Sequence, residues 1–454
     1  DNPEDRMLEF EQLIKRTHEA GLKVIIDFVP NHVARDYGKT SASDGHPMLG
    51  ANDDRDVHWK EDNDFFYYPG EALRLPTPCP LGMEPYMEMP AMATGNNCYS
   101  PEPGINDWYE TVKINYGDNH TATWDRMLDI LTFWAEKGVD GFRCDMVELI
   151  PQSFMRWAIS QIKSRFPDVI FIAEVYKKEL YRDYVHKVGF DYLYDKSGLY
   201  DTLRSIVDKN VNDNGMPVDL WQSTTGITRN WQFLGDLQPY MLNFLENHDE
   251  QRFASEFFGR DGHNTYAPLY ASLFLNTAPF MIYFGEEVGE AGMDEEGFSG
   301  RDGRTTIFDW WSVGSVRRLR KAIASKAYED LKVSKLTAAG MKKEEAEIFC
   351  RFAQAVRLAA ADTAISMGTT YDLCYCNMSS DGFDKNRHFA FLRDYEEHTL
   401  LIAINFSDKA AEMKLVIPEH AFEWMGIPIT EKMYPGKVIN VKVPPMDGTV
   451  IQLV

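Results

Sequence analysis

The sequence predicts an α/β fold: a (β/α)8 TIM barrel, N-terminally incomplete in this chain, with an inserted domain and a C-terminal antiparallel β-sandwich. Helical patterns alternate with short apolar runs, polar residues follow these runs, and from about residue 361 strands succeed one another. Alternating helices and strands predict parallel strands joined by right-handed crossovers. An open doubly wound sheet is the alternative. Polar groups past successive strand ends favour the barrel, whose active site lies at that face.

Apolar runs preceded by helical patterns are predicted as barrel strands. They are residues 23–28, 139–145, 169–174, 190–194, 241–246 and 280–283. The chain itself opens on a helix, with Asn2 as N-cap, Pro3 in its first turn and Gly21 at its end. The apolar stripe of this helix is formed by Met7, Phe10, Leu13 and Ile14. Since a closed barrel needs eight strands, we expect upstream sequence on the order of 50 to 100 residues before Asp1.

The predicted domain order is barrel, insert, barrel and sandwich. Residues 33–116 are a long, mostly irregular stretch, and inserts of this length are usually functional. We interpret them as a domain inserted between two parts of the barrel, residues 1–32 and 117–360. Residues 361–454 contain alternating or apolar runs separated by turn residues, a pattern typical of an antiparallel sandwich.

The charge and composition exclude some classes of partner. Lys and Arg number 47 against 70 Asp and Glu, which gives a net charge of −23. A chain this acidic repels nucleic acid and anionic lipid, so a neutral substrate is favoured. No apolar run reaches the length of a membrane span, and none is expected. The oligomeric state is left open.

The cysteines show no CxxC or zinc-ligand spacing. Cys374 and Cys376 would lie on the same face of one strand and cannot bridge each other. Cys79 and Cys98 are the one plausible disulfide pair, and the others are interpreted as free thiols. The localisation is left open, with a preference for an extracytoplasmic one.

Polar residues lie at, or just after, the ends of four predicted strands. They are Asp27, Asn31 and His32; Arg143 and Asp145; Glu174; and Asn247, His248 and Asp249. Because the carboxyl ends of barrel strands meet at one face, we expect these side chains to converge.

Arg143 and Asp145 lie two residues apart in a strand and therefore on one face. The arginine would lower the pKa of Asp145 and keep that carboxylate charged, although a structural ion pair is the alternative. Glu174 ends an apolar strand, so a raised pKa and a retained proton are expected. The alternative for Glu174 is a carboxylate that caps the next helix or pairs with Lys177.

The segment Asn247-His248-Asp249 has a plainer alternative, a polar loop closed by an Asn/Asp turn. Taken together, the carboxylates indicate a specific chemistry. One charged and one protonated carboxyl group are what cleavage of a glycosidic bond requires, and a separation of about 5 Å would give double displacement.

These segments resemble, in the correct order, the four signature regions of glycoside hydrolase family 13, the α-amylase family. Residues 27–32 match DxxxNH, residues 141–145 match GFRxD, Glu174 matches the proton donor and residues 247–249 match NHD. Residues 278–287 and 301–304 resemble the last barrel strand and the loop after it. The roles that the resemblance implies are Asp145 as nucleophile, Glu174 as general acid/base, Asp249 as transition-state stabiliser, and His32, Arg143 and His248 as sugar contacts.

Within the matched regions, the sequence departs from the family pattern at two places. Glu148 and Leu149 stand where typical α-amylases carry Lys-His, a pair that binds sugar and helps to hold calcium. Lys113 lies in a segment that is usually acidic. Asn31 occupies the usual calcium-ligand position, so a structural calcium is possible, whereas the chemistry requires no cofactor. The acidic residues 53, 54 and 56 are interpreted as a solvated turn.

The resemblance implies a retaining hydrolase that cleaves α-1,4-glucosidic bonds in starch-like α-glucans or maltooligosaccharides. A transglycosylase of the same family would use the same carboxylates. A third hypothesis, from another class, is a non-catalytic glycan-binding protein on an amylase-like fold, because fold alone does not determine function.

Overall fold

The computed structural model describes residues 5–37, 48–79, 84–207, 223–292, 302–305 and 313–453. The chain divides into two units, Asp1–Tyr194 and Asp195–Val454, and each is described by itself.

The first unit alternates helices and strands around an irregular insert. Its strands are β1 Ile25–Phe28, β2 His32–Ala34, β3 Tyr67–Tyr68, β4 Ala91–Met92, β5 Thr111–Lys113, β6 Gly141–Cys144, β7 Ile170–Ala173 and β8 Tyr192–Tyr194. Its helices are α1 Arg6–Glu19, α2 Ala122–Glu136, α3 Gln152–Arg165 and α4 Tyr181–Asp183. Short helical turns are Val147–Leu149, Lys178–Leu180 and Tyr184–Val188.

Parallel strands β1, β6, β7 and β8 lie side by side in that order. The register pairs Phe28 with Cys144, and Cys144 with Ala173, so the carboxyl ends of β1, β6 and β7 are level. Every residue of β6 is buried, as expected for a parallel strand covered on both faces. The residues that follow these three strands are therefore neighbours.

Helices α2 and α3 cover the sheet with amphipathic faces. Helix α2 buries Trp124, Met127, Leu131 and Ala135 at helical spacing. Helix α1 differs from the expected stripe: it buries Ile14, whereas Met7 and Leu13 are exposed. Its Phe10 ring meets the Trp134 ring of α2 edge-on with the ring centres 5.3 Å apart, so this side of α1 packs against α2.

The insert is anchored to α2 by the buried carboxylate of Asp64. This side chain is 1% exposed and accepts from the main-chain N–H of Gly50 (2.7 Å), from Thr123 Oγ1 (2.6 Å) and from Arg126 Nη2. Thr123 and Arg126 belong to α2. The insert is thus joined by charge-assisted hydrogen bonds to the helix that leads into β6.

We expect Asp64→Asn to lower the free energy of unfolding by about 1–3 kcal/mol, because Arg126 loses its charged acceptor. Urea denaturation measures the loss. The exposed neighbour Asp62 gives the control, and Asp62→Asn should stay within about 0.5 kcal/mol of the natural protein. Equal effects of the two changes would contradict the anchoring role.

The second unit continues the alternation and then becomes antiparallel. Its strands are β9 Met241–Phe244, β10 Phe280–Met281, β11 Thr369–Asp372, β12 His388–Tyr395, β13 His398–Asn405, β14 Ala411–Val416, β15 Val438–Val443 and β16 Asp447–Gln452. Its helices are α5 Asp201–Val207, α6 Thr225–Leu234, α7 Tyr266–Phe274, α8 Gly314–Ala324, α9 Val333–Ala338, α10 Lys343–Ala361, α11 Thr363–Ser366, α12 Cys374–Asn377 and α13 Glu419–Met425.

Strands β9 and β10 are parallel. Strands β11, β12, β13 and β16 form an antiparallel sheet in that order, and β14 pairs with β15. Apolar residues of both groups share one core, for example Leu392 and Leu401 from the first and Met413 and Val441 from the second. This is the packing of an antiparallel sandwich, as predicted.

The predicted barrel strands are all present, and no end is shortened by more than two residues. In the second unit one local prediction is wrong. Cys374 and Cys376 lie in the short helix α12 rather than in a strand, because Asp372 Oδ1 accepts the main-chain N–H of Cys374 (2.7 Å) and turns the chain. Asn2 and Pro3 lie outside the described residues, and the predicted domain boundaries remain predictions.

The structure has all six cysteines as thiols, so the pairing of Cys79 with Cys98 is not formed. The Cys98 thiol instead donates to Asp107, and burial raises the pKa of Cys98 first, with Asp107 adding to the rise. Within the described parts of the chain, no helix combines the length and apolar character that a membrane crossing requires.

Candidate active site

Two predicted carboxylates meet at one guanidinium. Arg143 Nη1 donates to Asp145 Oδ1 at 2.8 Å. Arg143 Nη2 lies 2.9 Å from Glu174 Oε2, an ion-pair contact outside hydrogen-bond alignment. Arg143 is 7% exposed and Glu174 is 2% exposed. The sequence placed Arg143 and Asp145 on one face of a strand, and the structure confirms it and brings Glu174 of the next strand to the same cation.

The local backbone explains why these side chains point the same way. The N–H of Asp145 donates to Phe28 O (2.9 Å), and the N–H of Glu174 donates to Cys144 O (3.0 Å). Both residues therefore extend the ladder of parallel strands by one position. Met146 then turns into the left-handed region at φ 45°, which aims its N–H at Glu174 Oε2 (3.0 Å).

Glu174 lies among donors rather than in the apolar surroundings that its strand suggested. Tyr176 Oη donates to Glu174 Oε1 at 2.5 Å, opposite the N–H of Met146 and the guanidinium of Arg143. The strand residues before Glu174 are apolar, but its side-chain neighbours come from β6 and from the turn after β7. The alternative pairing with Lys177 is wrong as well, because Lys177 Nζ lies near Glu148 (3.8 Å).

Glu148 holds the turn that carries Tyr176. Its Oε1 accepts the main-chain N–H groups of Tyr176 (2.6 Å) and Lys177 (2.5 Å). The sequence marked Glu148 as a departure from the family pattern but gave no role for it. The structure shows that this carboxylate satisfies two backbone donors and so positions the tyrosine that contacts Glu174.

Arg143 has two further neighbours: Asp27, which the sequence placed at a strand end without a role, and Tyr194, which the sequence did not single out. Asp27 Oδ1 lies 3.5 Å from Arg143 Nη1, and the guanidinium lies 5.4 Å from the centre of the Tyr194 ring. Burial lowers the pKa of Arg143, but Glu174, Tyr194, Asp27 and Asp145 together raise it above its ordinary value. The position of Tyr194 at the end of β8 was the signal that could have identified it.

His32 lies just past β1, at the start of β2. Its ring is 5.4 Å from the ring of Trp108, and its Nδ1 lies 3.1 Å from Asn31 Nδ2. Burial lowers the pKa of His32, and the nearby charge of Lys113 lowers it further. His32 is therefore held neutral, with ring nitrogens suited to hydrogen-bonding a sugar hydroxyl.

The residues around Asn31 do not fit a calcium ion. Asn31 is fully buried, its Nδ2 donates to Gly95 O (2.8 Å), and its Oδ1 accepts from Lys113 Nζ. An ammonium thus occupies the oxygen that calcium would need. Among the described residues, no group of three or more His, Cys, Asp or Glu side chains is arranged to hold a metal.

The acidic turn of the insert is only partly solvated. Asp53 is half-buried and accepts from the N–H groups of Asp64 (2.8 Å) and Phe65 (3.0 Å) and from Tyr67 Oη (2.9 Å). Asp54 forms an ion pair with Lys60 at 3.3 Å. The prediction of a solvated turn is therefore wrong for Asp53, whose hydrogen bonds build the insert.

The third region lies in the second unit, just past β9. Asn247 Oδ1 accepts the N–H groups of Asp249 and Glu250, each at 2.9 Å, which is the Asn/Asp turn considered as an alternative. His248 Nε2 lies 3.3 Å from Asp249 Oδ2, and Arg304 Nε donates to Asp249 O (2.6 Å). The turn presents both side chains together. The convergence of Asp249 with Asp145 and Glu174 remains a prediction.

A parallel α/β sheet with paired carboxylates at its strand ends has a clear family match. The alpha-amylase family, described as alpha amylase, catalytic domain, matches residues 6–349. The chain belongs to this family.

Relatives in the family carry different names. Alpha-amylase 3 of Dictyoglomus thermophilum is 28% identical over 314 residues, 63% of this chain and 51% of that protein. Amino acid transporter heavy chain SLC3A1 of Mus musculus is 23% identical over 341 residues, 66% of this chain and 46% of that protein. Alpha-1,4-glucan:maltose-1-phosphate maltosyltransferase of Rhodospirillum rubrum is 37% identical over 79 residues, 17% of this chain and 12% of that protein. The chain thus spans about half or less of these relatives.

A solved structure shows the same fold. The debranching enzyme from Nostoc punctiforme superimposes with a TM-score of 0.61 and 17% identity, over 98% of this chain and 78% of that one. The predicted fold class, a TIM barrel with a C-terminal β domain, is confirmed.

We expect Tyr176→Phe to lower kcat/KM on an α-glucan by about 10- to 100-fold, since Glu174 Oε1 loses the hydrogen bond that holds it in place. Steady-state kinetics measure the loss. Tyr434→Phe, which makes the same change at an exposed position of the C-terminal domain, is the control and should leave the rate unaltered. An unaltered rate in Tyr176→Phe would show that the hydroxyl does not position Glu174.

Proposed function

We propose that the protein is a retaining glycoside hydrolase that cleaves α-1,4-glucosidic bonds in starch-like α-glucans or maltooligosaccharides. Asp145 is the nucleophile, Glu174 is the general acid/base and Asp249 stabilises the transition state. His32, Arg143 and His248 bind the sugar at the point of cleavage.

The observation that carries this proposal is the contact of Asp145 and Glu174 with one guanidinium (2.8 and 2.9 Å). Two carboxyl groups on opposite arms of one arginine are held close together. A short separation of about 5 Å is the requirement for double displacement, in which no water fits between acid and nucleophile in the first step.

In the first step Asp145 Oδ attacks the anomeric carbon while Glu174 gives its proton to the glycosidic oxygen. The bond between that carbon and that oxygen breaks, and the leaving chain departs with a free hydroxyl. In the second step the Glu174 carboxylate takes a proton from water. The resulting hydroxide attacks the anomeric carbon and releases Asp145.

Arg143 supports both steps through charge. It is buried and retains its positive charge, so it stabilises Asp145 as an anion before attack and again as a leaving group. The N–H of Met146 and the hydroxyl of Tyr176 hold each oxygen of Glu174 in place. His32, held neutral, supplies hydrogen bonds to a sugar hydroxyl without adding charge.

The experiment is a product profile on maltoheptaose, starch and pullulan. We expect shorter maltooligosaccharides with new reducing ends, and we expect Asp145→Asn to lower turnover by several orders of magnitude without loss of fold. Asp140→Asn is the matched control, because Asp140 lies at the other end of the same strand, where it accepts the N–H of Val24 (2.7 Å). Near-normal turnover by Asp145→Asn would remove Asp145 from the nucleophile role.

We expect Glu174→Gln to reduce turnover least on α-glucosyl fluoride, whose leaving group needs no proton, and most on maltoheptaose. The ratio of kcat/KM values for the two substrates measures the difference. A uniform loss on both substrates would argue against Glu174 as the acid.

A transglycosylase is the second candidate, supported by the relative named as a maltosyltransferase. A sugar hydroxyl would then replace water in the second step. Longer chains in the maltoheptaose products would establish transfer.

A non-catalytic protein is the third, supported by the relative named as an amino acid transporter heavy chain. Glycan binding without any turnover in the same assays would favour it. The presence of Asp145, Glu174 and Asp249 supports the enzyme.

A further inference from the structure

The ammonium of Lys113 lies at the junction of three segments of the first unit. Its Nζ donates to Asn31 Oδ1, just before His32, and to the main-chain oxygen of Leu149 (2.6 Å), just after the turn that follows Asp145. Lys113 itself ends β5, the last strand of the insert. A single cation therefore links the insert to the loops after β1 and β6.

The strand register places Lys113 there. Strands β2 and β5 are antiparallel, and His32 lies directly opposite Lys113. Directly opposed residues of an antiparallel pair point to the same face, so the lysine and the histidine share one side of this ribbon. The pairing of β2 with β5 therefore determines where Lys113 Nζ lies.

A buried ammonium group costs free energy unless it donates hydrogen bonds to nearby acceptors. Lys113 is 5% exposed, and burial lowers its pKa to about 8. Its acceptors are an amide oxygen and a backbone carbonyl, which are oxygens of the kind that ligate calcium. Calcium requires six to eight such oxygens and would be repelled by a neighbouring ammonium.

We propose that Lys113 is a built-in cation that takes the place of a calcium ion, gathers the oxygens of Asn31 and Leu149, and positions His32 without any metal. The positioning of His32 for substrate rests on the proposed function.

The first experiment uses the unaltered protein and calcium alone. We expect the same thermal midpoint in EGTA and in millimolar CaCl2, and no calcium binding by equilibrium dialysis. A midpoint that rises with calcium, or stoichiometric binding in dialysis, would overturn the proposal.

The second experiment compares Lys113→Met with Lys60→Met. The first change keeps an unbranched side chain that is one atom shorter but removes the ammonium, and we expect the midpoint to fall by several degrees because Asn31 and Leu149 lose their donor. Lys60 is half-exposed and forms a surface ion pair with Asp54, so its loss should have little effect. Equal midpoints for Lys113→Met and the natural protein would overturn the proposal.

The positioning role has its own readout. Well below the midpoint, Lys113→Met should raise KM for maltoheptaose several-fold and change kcat less, because His32 would no longer be held. Unchanged kinetics with a lowered midpoint would contradict positioning and leave only a structural cation. If the natural protein shows no turnover at all, the proposed function fails, whereas the midpoint and dialysis results still decide the metal question.

Discussion

The geometry of the first unit depends on one buried cation, the guanidinium of Arg143. Asp145 and Glu174 both contact it, and Asp27 lies at its edge. Without that charge, carboxylates packed this closely at the ends of adjoining strands would repel one another. The register of the parallel strands brings Asp145 and Glu174 close together, and the positive charge of Arg143 offsets the repulsion between them. In this site the basic partner on the same face is Arg143, which contacts both acids.

Much of the fold was predictable because a parallel strand covered on both faces is mostly apolar. Strand β7, Ile170–Ala173, shows this directly, whereas β6 carries the buried charge of Arg143. Cys374 and Cys376 were misplaced because a single side chain, that of Asp372, overrides the local strand pattern by binding the backbone. The exposure of Met7 and Leu13 on α1 depends on what packs against the helix, which periodicity alone cannot show.

In the candidate site, as in the fold, contacts between residues close in sequence could be predicted and contacts between distant residues could not. Arg143 and Asp145 share a face through strand period, so their pairing could be predicted. The donors around Glu174 come from a left-handed turn at Met146 and from Tyr176, held by Glu148. The contact of Lys113 with Asn31 joins residues 82 positions apart and follows from the pairing of β2 with β5. Such contacts depend on register, which the sequence alone did not specify.

The hydrogen bonds of Glu148 to the main-chain N–H groups of Tyr176 and Lys177 also limit how this chain could be re-engineered. Exchanging Glu148 for the lysine that typical α-amylases carry would leave those N–H groups without their acceptor and place a like charge beside Lys177. A sugar-binding lysine cannot therefore be transplanted alone. The turn beyond β7 would have to be redesigned with it, so the loops after β6 and β7 have to be changed together.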